Sequence, residues 1–227
     1  MFKIVFLTLL SLPLFAGFFP QSVHTSIKSI NGSSVILNTK FPANGISGVV
    51  VHNYGNGLTA ITSRIVQTAS DGTASLLSDD IIHHNQLPTI NTPVKVGDEV
   101  IGGYLYRNVL LLAPDADTYS AIVKANHKKW IHPDLFALYL MTEGEESVTK
   151  ENLADFAKKY QVGLIYIVRK NSAILFDPIS QKIISQKKVS NLPPKGQYPF
   201  YMHFDKLESG WFSSQSEENY YDMAGAF

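Results

Sequence analysis

Between Ser22 and Leu112 the chain alternates short apolar or β-branched runs with turn residues. The alternation recurs roughly every ten residues, which is the spacing of strands in small all-β folds. No helical period survives such frequent interruption, so this half is read as β. Residues 25–30 and 33–38 flank Asn31-Gly32, and a type I′ hairpin is expected there because Asn-Gly supplies positive φ at both central positions. Residues 48–51, 58–67 and 73–77 read as further strands, separated by Tyr54-Gly55-Asn56-Gly57 and Asp71-Gly72. Residues 94–101 carry a Gly97-Asp98 turn before a strand running to Tyr106, and residues 108–112 form another apolar strand. A small barrel or sandwich is expected, since closing the sheet removes the exposed edges that invite pairing with other chains.

The pattern changes at Ala113-Pro114-Asp115. Asp115 or Asp117 suits the cap of a helix reaching about Asn126, and Pro133-Asp134 opens a second helix that Gly144 ends. Leu135, Phe136, Leu138, Tyr139 and Leu140 are expected to form its apolar face. Thr149 caps a third helix, residues 150–160, although Asn152 replaces the Glu or Gln of a full capping box. Leu153, Phe156, Ala157 and Tyr160 give that helix one apolar stripe. The continuous apolar run 164–168 reads as a buried strand, followed by strands at 173–176 and 179–189. The expected fold class is α+β: a small N-terminal β-barrel or sandwich-like part, then an α/β layer with helices packed on a short sheet, then an aromatic C-terminal tail. The expected divisions are a leader at 1–16, a β-rich domain at 17–112, an α/β domain at 113–192 and the tail at 193–227.

Met1-Phe2-Lys3, an apolar run to Phe15 and small residues at Ala16-Gly17 resemble a secretory leader. The run is shorter than the ~20 residues of a spanning helix, and cleavage after Ala16 is expected. The chain is read as exported to a bacterial periplasm and peripherally associated with the outer membrane. Its 19 basic and 19 acidic side chains cancel, which leaves no electrostatic footprint for nucleic acid. The absence of cysteine closes thiol catalysis, Cys-ligated zinc and iron–sulfur chemistry.

No convergent catalytic set stands out. Asp79, Asp80, His83 and His84 form the densest polar cluster, but Asn85, Pro88 and Pro93 favour a solvated loop over a metal site. His132-Pro133-Asp134 resembles a catalytic pair in one dimension, yet an acid in the first turn of a helix is placed there by the helix dipole. Tyr54-Gly55-Asn56-Gly57 lacks the lysine and following helix of a phosphate loop. Lys128-Lys129 and Lys187-Lys188 read as solvated basic pairs. The expectation is a protein that is not an enzyme, with no catalytic residues, metal or cofactor. Its interaction surface is expected in the aromatic tail at Tyr198, Phe200, Trp211, Phe212, Tyr220 and Tyr221, because desolvated aromatic anchors dominate interfaces.

Four strings, Val94-Lys95-Val96-Gly97-Asp98-Glu99-Val100, Leu111-Leu112-Ala113-Pro114-Asp115, residues 161–168 and Ser214-Gln215-Ser216 with Tyr220-Tyr221, resemble in order and spacing the N-terminal domain of the PgbA plasminogen-binding proteins. Within that group the short chain is similar to FlgQ-like flagellar motility proteins. That likeness implies a non-enzymatic scaffold or assembly factor for the flagellar motor, docking to a basal-disk lipoprotein or other envelope motor proteins. The family name implies the alternative, a surface adhesin for host plasminogen, and self-association is a further expected contact. Within the family a lysine-rich C-terminal extension is the implied ligand of plasminogen's lysine-capturing kringle modules, and the chain has no lysine after Lys206, so plasminogen capture is not carried over on such residues.

Overall fold

The computed structural model describes residues 17–78, 92–145, 147–204 and 219–227. Six strands, β1 (Val23–Asn31), β2 (Ser34–Leu37), β3 (Ser47–Gly55), β4 (Leu58–Gln67), β5 (Thr73–Leu77) and β6 (Glu99–Gly102), close an antiparallel barrel in the order β1-β2-β5-β4-β3-β6. Local turn chemistry sets its hairpins. Asn31 pairs with Ser34, so the first loop is Gly32-Ser33, and only Gly32 of the two has a positive φ, 60°. That is the pattern of a type II′ turn, in place of the expected I′ turn at Asn31-Gly32. The I′ signature occurs instead at Asn56-Gly57, where φ is 52° and 78° and Gly55 pairs with Leu58. Ile27, Val35, Val50, Ile65, Ala74 and Val100 point inward and are fully buried, as period-two alternation requires of a filled small barrel.

The second layer is a five-stranded sheet in the order β11-β10-β9-β7-β8, formed by β7 (Asn108–Leu112), β8 (Lys129–Ile131), β9 (Leu164–Val168), β10 (Ser172–Asp177) and β11 (Lys182–Lys188). Residues 108–112, grouped with the β-rich half on sequence, belong here: β7 lies parallel between β8 and β9. Its Val109-Leu110-Leu111-Leu112 is buried throughout, as expected for a parallel strand covered on both faces.

Helix α1 (Ala116–Ala125) joins β7 to β8, and α2 (Pro133–Glu143) and α3 (Lys150–Tyr160) carry the chain back across to β9. Asp115 caps α1 by accepting from the Thr118 N–H, and Gly144 ends α2 in the left-handed region. On α3 the capping box is complete, because Asn152 accepts from the Thr149 N–H at 2.8 Å while Thr149 Oγ1 accepts from Asn152 N–H at 3.1 Å. Asn thus fills the role usually taken by Glu or Gln. On α2 the buried residues are Pro133, Phe136, Ala137, Tyr139 and Leu140. Leu135 and Leu138 are exposed, at 36% and 43%, so the apolar face is narrower than expected.

Barrel and sheet share one hydrophobic cluster, tied by a buried carboxylate. Asp177, at the end of β10, accepts from the Ser47 N–H on β3 at 2.8 Å, from the Ile179 and Ser180 N–H groups at 2.9 and 3.0 Å, and from the Tyr106 hydroxyl. Burial raises the Asp177 carboxyl above its ordinary range and pushes the Tyr106 phenol well above its own. Four donors to one carboxylate are what make so buried an acid tolerable. Among the described residues no helix is long and apolar enough to cross a membrane.

Candidate partner-binding surface

The C-terminal segment is where sequence reasoning placed the interface, and its described residues serve the interior first. The Gln197 N–H donates to Pro114 O and the Tyr201 N–H to Ala113 O, both at 2.8 Å, so the segment runs across the C-terminal end of β7. Phe200 is fully buried and stacks on Phe136 with centroids 5.6 Å apart. Tyr220 opens the short helix α4 (Tyr220–Gly225) and is also fully buried, its hydroxyl donating to Leu112 O at 2.8 Å. Burial pushes its phenol well above the usual value. Tyr221 is half-buried and donates to Pro193 O at 2.9 Å, and Tyr198 packs half-buried against the core. Phe200 and Tyr220 are therefore core residues in this fold. A wholly buried ring offers no surface to a partner. Trp211 and Phe212 lie outside the described residues, as do Asp79, Asp80, His83 and His84.

The sheet presents different chemistry at one corner. The β9–β10 turn carries Arg169 and Lys170, and antiparallel pairing of Ser172 with Lys188 and of Ala173 with Lys187 brings the end of edge strand β11 beside it. Lys170 and Lys188 are exposed. Lys187 lies over aromatic rings, its Nζ 4.5 Å from the Phe18 centroid and 5.5 Å from that of Tyr166. Burial lowers the Lys187 pKa and pushes the Tyr166 phenol up to about 12. Phe18 and Phe19 bridge the same face: Phe18 meets Tyr166 at 5.2 Å, Phe19 meets Trp130 of β8 at 6.4 Å, and Lys128 Nζ lies 4.4 Å from the Phe19 centroid. One lysine of each basic pair, Lys128 and Lys187, thus packs on the aromatic cover that Phe18 and Phe19 anchor, while Lys129 and Lys188 are exposed. The lysine corner was missed because its members come from a turn and an edge strand, which only pairing register joins.

Two other places concentrate polar groups. A cleft of about 180 Å³ lies at the junction of barrel and sheet, between Gly48, Arg64, Tyr104, Lys158 and Gly163, below the several hundred Å³ of ordinary ligand pockets. Asp134, the first-turn acid of α2, accepts from the His203 backbone N–H at 2.9 Å and pairs with its ring Nδ1 at 2.9 Å. Partial burial acts to raise the Asp134 pKa, but the hydrogen bonds from His203 outweigh it and the net shift is downward. His132 moves down as well, chiefly because burial disfavours its charged form.

A family model described as plasminogen-binding protein pgbA N-terminal matches residues 22–223. No curated protein and no solved structure matches the chain.

Proposed function

The chain belongs to the family of plasminogen-binding protein pgbA N-terminal domains, and from that premise we propose that it is a non-enzymatic, exported binding protein that captures a host protein of the plasminogen type. The family match over nearly the whole chain carries this reading. Its description names host-protein binding and no motor component, so it favours the adhesin alternative over a flagellar scaffold.

The geometry supplies a matching surface. Lysine-capturing modules need accessible ammonium groups held by a stable framework, and Lys170 and Lys188 are exposed side chains on a turn and a paired edge strand, Lys188 on the face opposite Lys187 and its aromatic partners. Rigid presentation lowers the ordering cost of binding.

The test is surface-immobilised plasminogen with the purified chain in solution, with and without a free lysine analogue, and with the variant Lys170→Ala/Lys188→Ala. The expected result is saturable binding that the analogue abolishes and the double variant weakens at least about tenfold, since truncating one partner of a desolvated charge pair costs several kcal/mol. Both substitutions are on the surface, where stability changes stay within about 0.5 kcal/mol. Absence of saturable binding, or binding indifferent to both the analogue and the variant, overturns the proposal. On intact cells, protease must reach the chain; protection until the outer membrane is opened contradicts host capture.

A further inference from the structure

We propose that His132, Asp134 and His203 form a binding site for a divalent transition metal of the zinc class, which ties the C-terminal segment to the start of α2. One potential ligand atom from each residue lies within 4.8 Å of the others. Both imidazoles converge on the same carboxylate oxygen: Asp134 Oδ2 is 3.2 Å from His132 Nδ1 and 2.9 Å from His203 Nδ1. Ligand atoms around a tetrahedral ion with bonds of 2.0–2.1 Å stand about 3.3 Å apart, so the two separations from Asp134 Oδ2 are already near the required spacing. The two rings lie stacked at 4.6 Å and 14°, so their in-plane lone pairs run nearly parallel and ligation requires the exposed His203 ring to turn out of the stack.

The surroundings restrict the ligands, and His132 Nδ1 accepts the Asp134 backbone N–H at 3.2 Å as the cap of α2, a bond that ligation would replace. Asp134 Oδ1 is held by the His203 backbone N–H, which orients the carboxylate and leaves Oδ2 for the ion. The Tyr201 hydroxyl sits 3.0 Å from His203 Nε2. With the Asp134 carboxylate accepting at Nδ1, the metal-free ring carries its proton there and Nε2 accepts from Tyr201; ligation through Nδ1 would move that proton to Nε2, where the Tyr201 oxygen would accept it as an outer partner. Tyr119 packs against both His132 and Tyr201, at 5.1 and 5.4 Å, and limits the freedom of the first ligand.

Donor chemistry selects the ion. Two imidazole nitrogens and one carboxylate oxygen suit zinc and its first-row neighbours, whereas calcium and magnesium require oxygen cages. The positive end of the α2 dipole disfavours a cation, so binding must come from nitrogen ligation, with Asp134 offsetting the field. Three protein ligands leave a fourth position for water or an outside group, as in open zinc sites. The location agrees with α/β topology. His132 directly follows β8, and the segment bearing His203 crosses the C-terminal end of β7, the strand that the chain leaves toward β8 on one side and passes again to reach β9 on the other. Such strand ends at a topological switch are where ligands bind in open α/β sheets.

The experiment uses the untagged full chain, titrated with Co²⁺ followed by visible absorption and then with Zn²⁺ as competitor. One equivalent of Co²⁺ is expected to give the intense bands of a low-coordinate site, and Zn²⁺ to bleach them. His203→Ala and Asp134→Asn, folded by circular dichroism, should lose the bands, and Tyr201→Phe should weaken binding about 10- to 100-fold. His83→Ala/His84→Ala should bind as the parent chain does. Hydrogen exchange at residues 201–203 should slow on adding metal. Absence of saturable binding, equal binding by His203→Ala, or loss of binding on changing His83 and His84 overturns the assignment.

Discussion

Replacing Asp177 tests the joint between barrel and sheet most directly. Alanine there strands the Ser47 N–H and the Tyr106 hydroxyl, in residues only 6% and 2% exposed, while the half-buried Ile179 and Ser180 N–H groups can turn to water. A buried donor left unpaired costs about 1–3 kcal/mol, so two of them put the expected loss at about 2–6 kcal/mol. Removing a buried charge returns part of that, which favours the middle of the range. Against the ~5–15 kcal/mol that holds a typical domain, the variant should be folded but marginal. Asp177→Asn keeps one acceptor oxygen and should lose about half as much. Equilibrium urea unfolding measures both. A double-mutant cycle sharpens the test: Tyr106→Phe should be costly in the parent chain and nearly neutral in Asp177→Ala, where its hydroxyl has already lost its partner. An Asp177→Ala loss under about 1 kcal/mol, or equal cost for Tyr106→Phe in both backgrounds, would refute the reasoning.

Two further outcomes follow from the core. Phe200→Ala should destabilise the chain by about 3–5 kcal/mol, as for other buried aromatic truncations, and Tyr220→Phe by about 1–3 kcal/mol because the Leu112 carbonyl loses its donor; thermal unfolding near parent values for both would mean that the tail does not pack as described. In an alkaline titration followed by phenolate absorbance, Tyr166 should ionise only at about 12, above the ~10 of a free tyrosine. Its folded pKa is raised, so its share of stability is complete below the unfolded value and drains away as pH climbs through the folded one; a single uniform transition near 10 would contradict the burial.

What the sequence makes legible is whatever a short stretch decides alone. Asp115, Thr149 and Gly144 cap or end helices where expected because capping needs only a few neighbouring residues. The barrel is legible from turn spacing, yet its first turn moved by one residue, since register at Asn31 is set by pairing with Ser34 as well as by the Asn-Gly dipeptide. Residues 108–112 went to the wrong layer because a fully apolar run carries no period and does not say which sheet it joins. The three-residue β8 is too short to register as a pattern. His203 was missed for a stronger reason: its partner Asp134 is 69 positions away, and local spacing rules reach three or four residues.

In the aromatic tail, composition by itself does not separate interface from core. An aromatic, proline-bounded C-terminus satisfies the description of an interface and also that of a missing piece of core. Phe200 against Phe136 and Tyr220 at the Leu112 carbonyl show that these two rings complete the core. The polar groups proposed above for recognition lie on the edge that the tail helps to build. Lys170 follows the C-terminal end of β9 and His132 that of β8, the two strands flanking β7. At 4.7–4.9 Å per strand their backbones are separated by about 10 Å. Segments that are remote in sequence gather along this one edge because parallel strands joined by crossovers all deliver their following loops to the same side. The edge thus combines a cation-presenting corner with a cation-binding cluster, kept distinct by β7 between them.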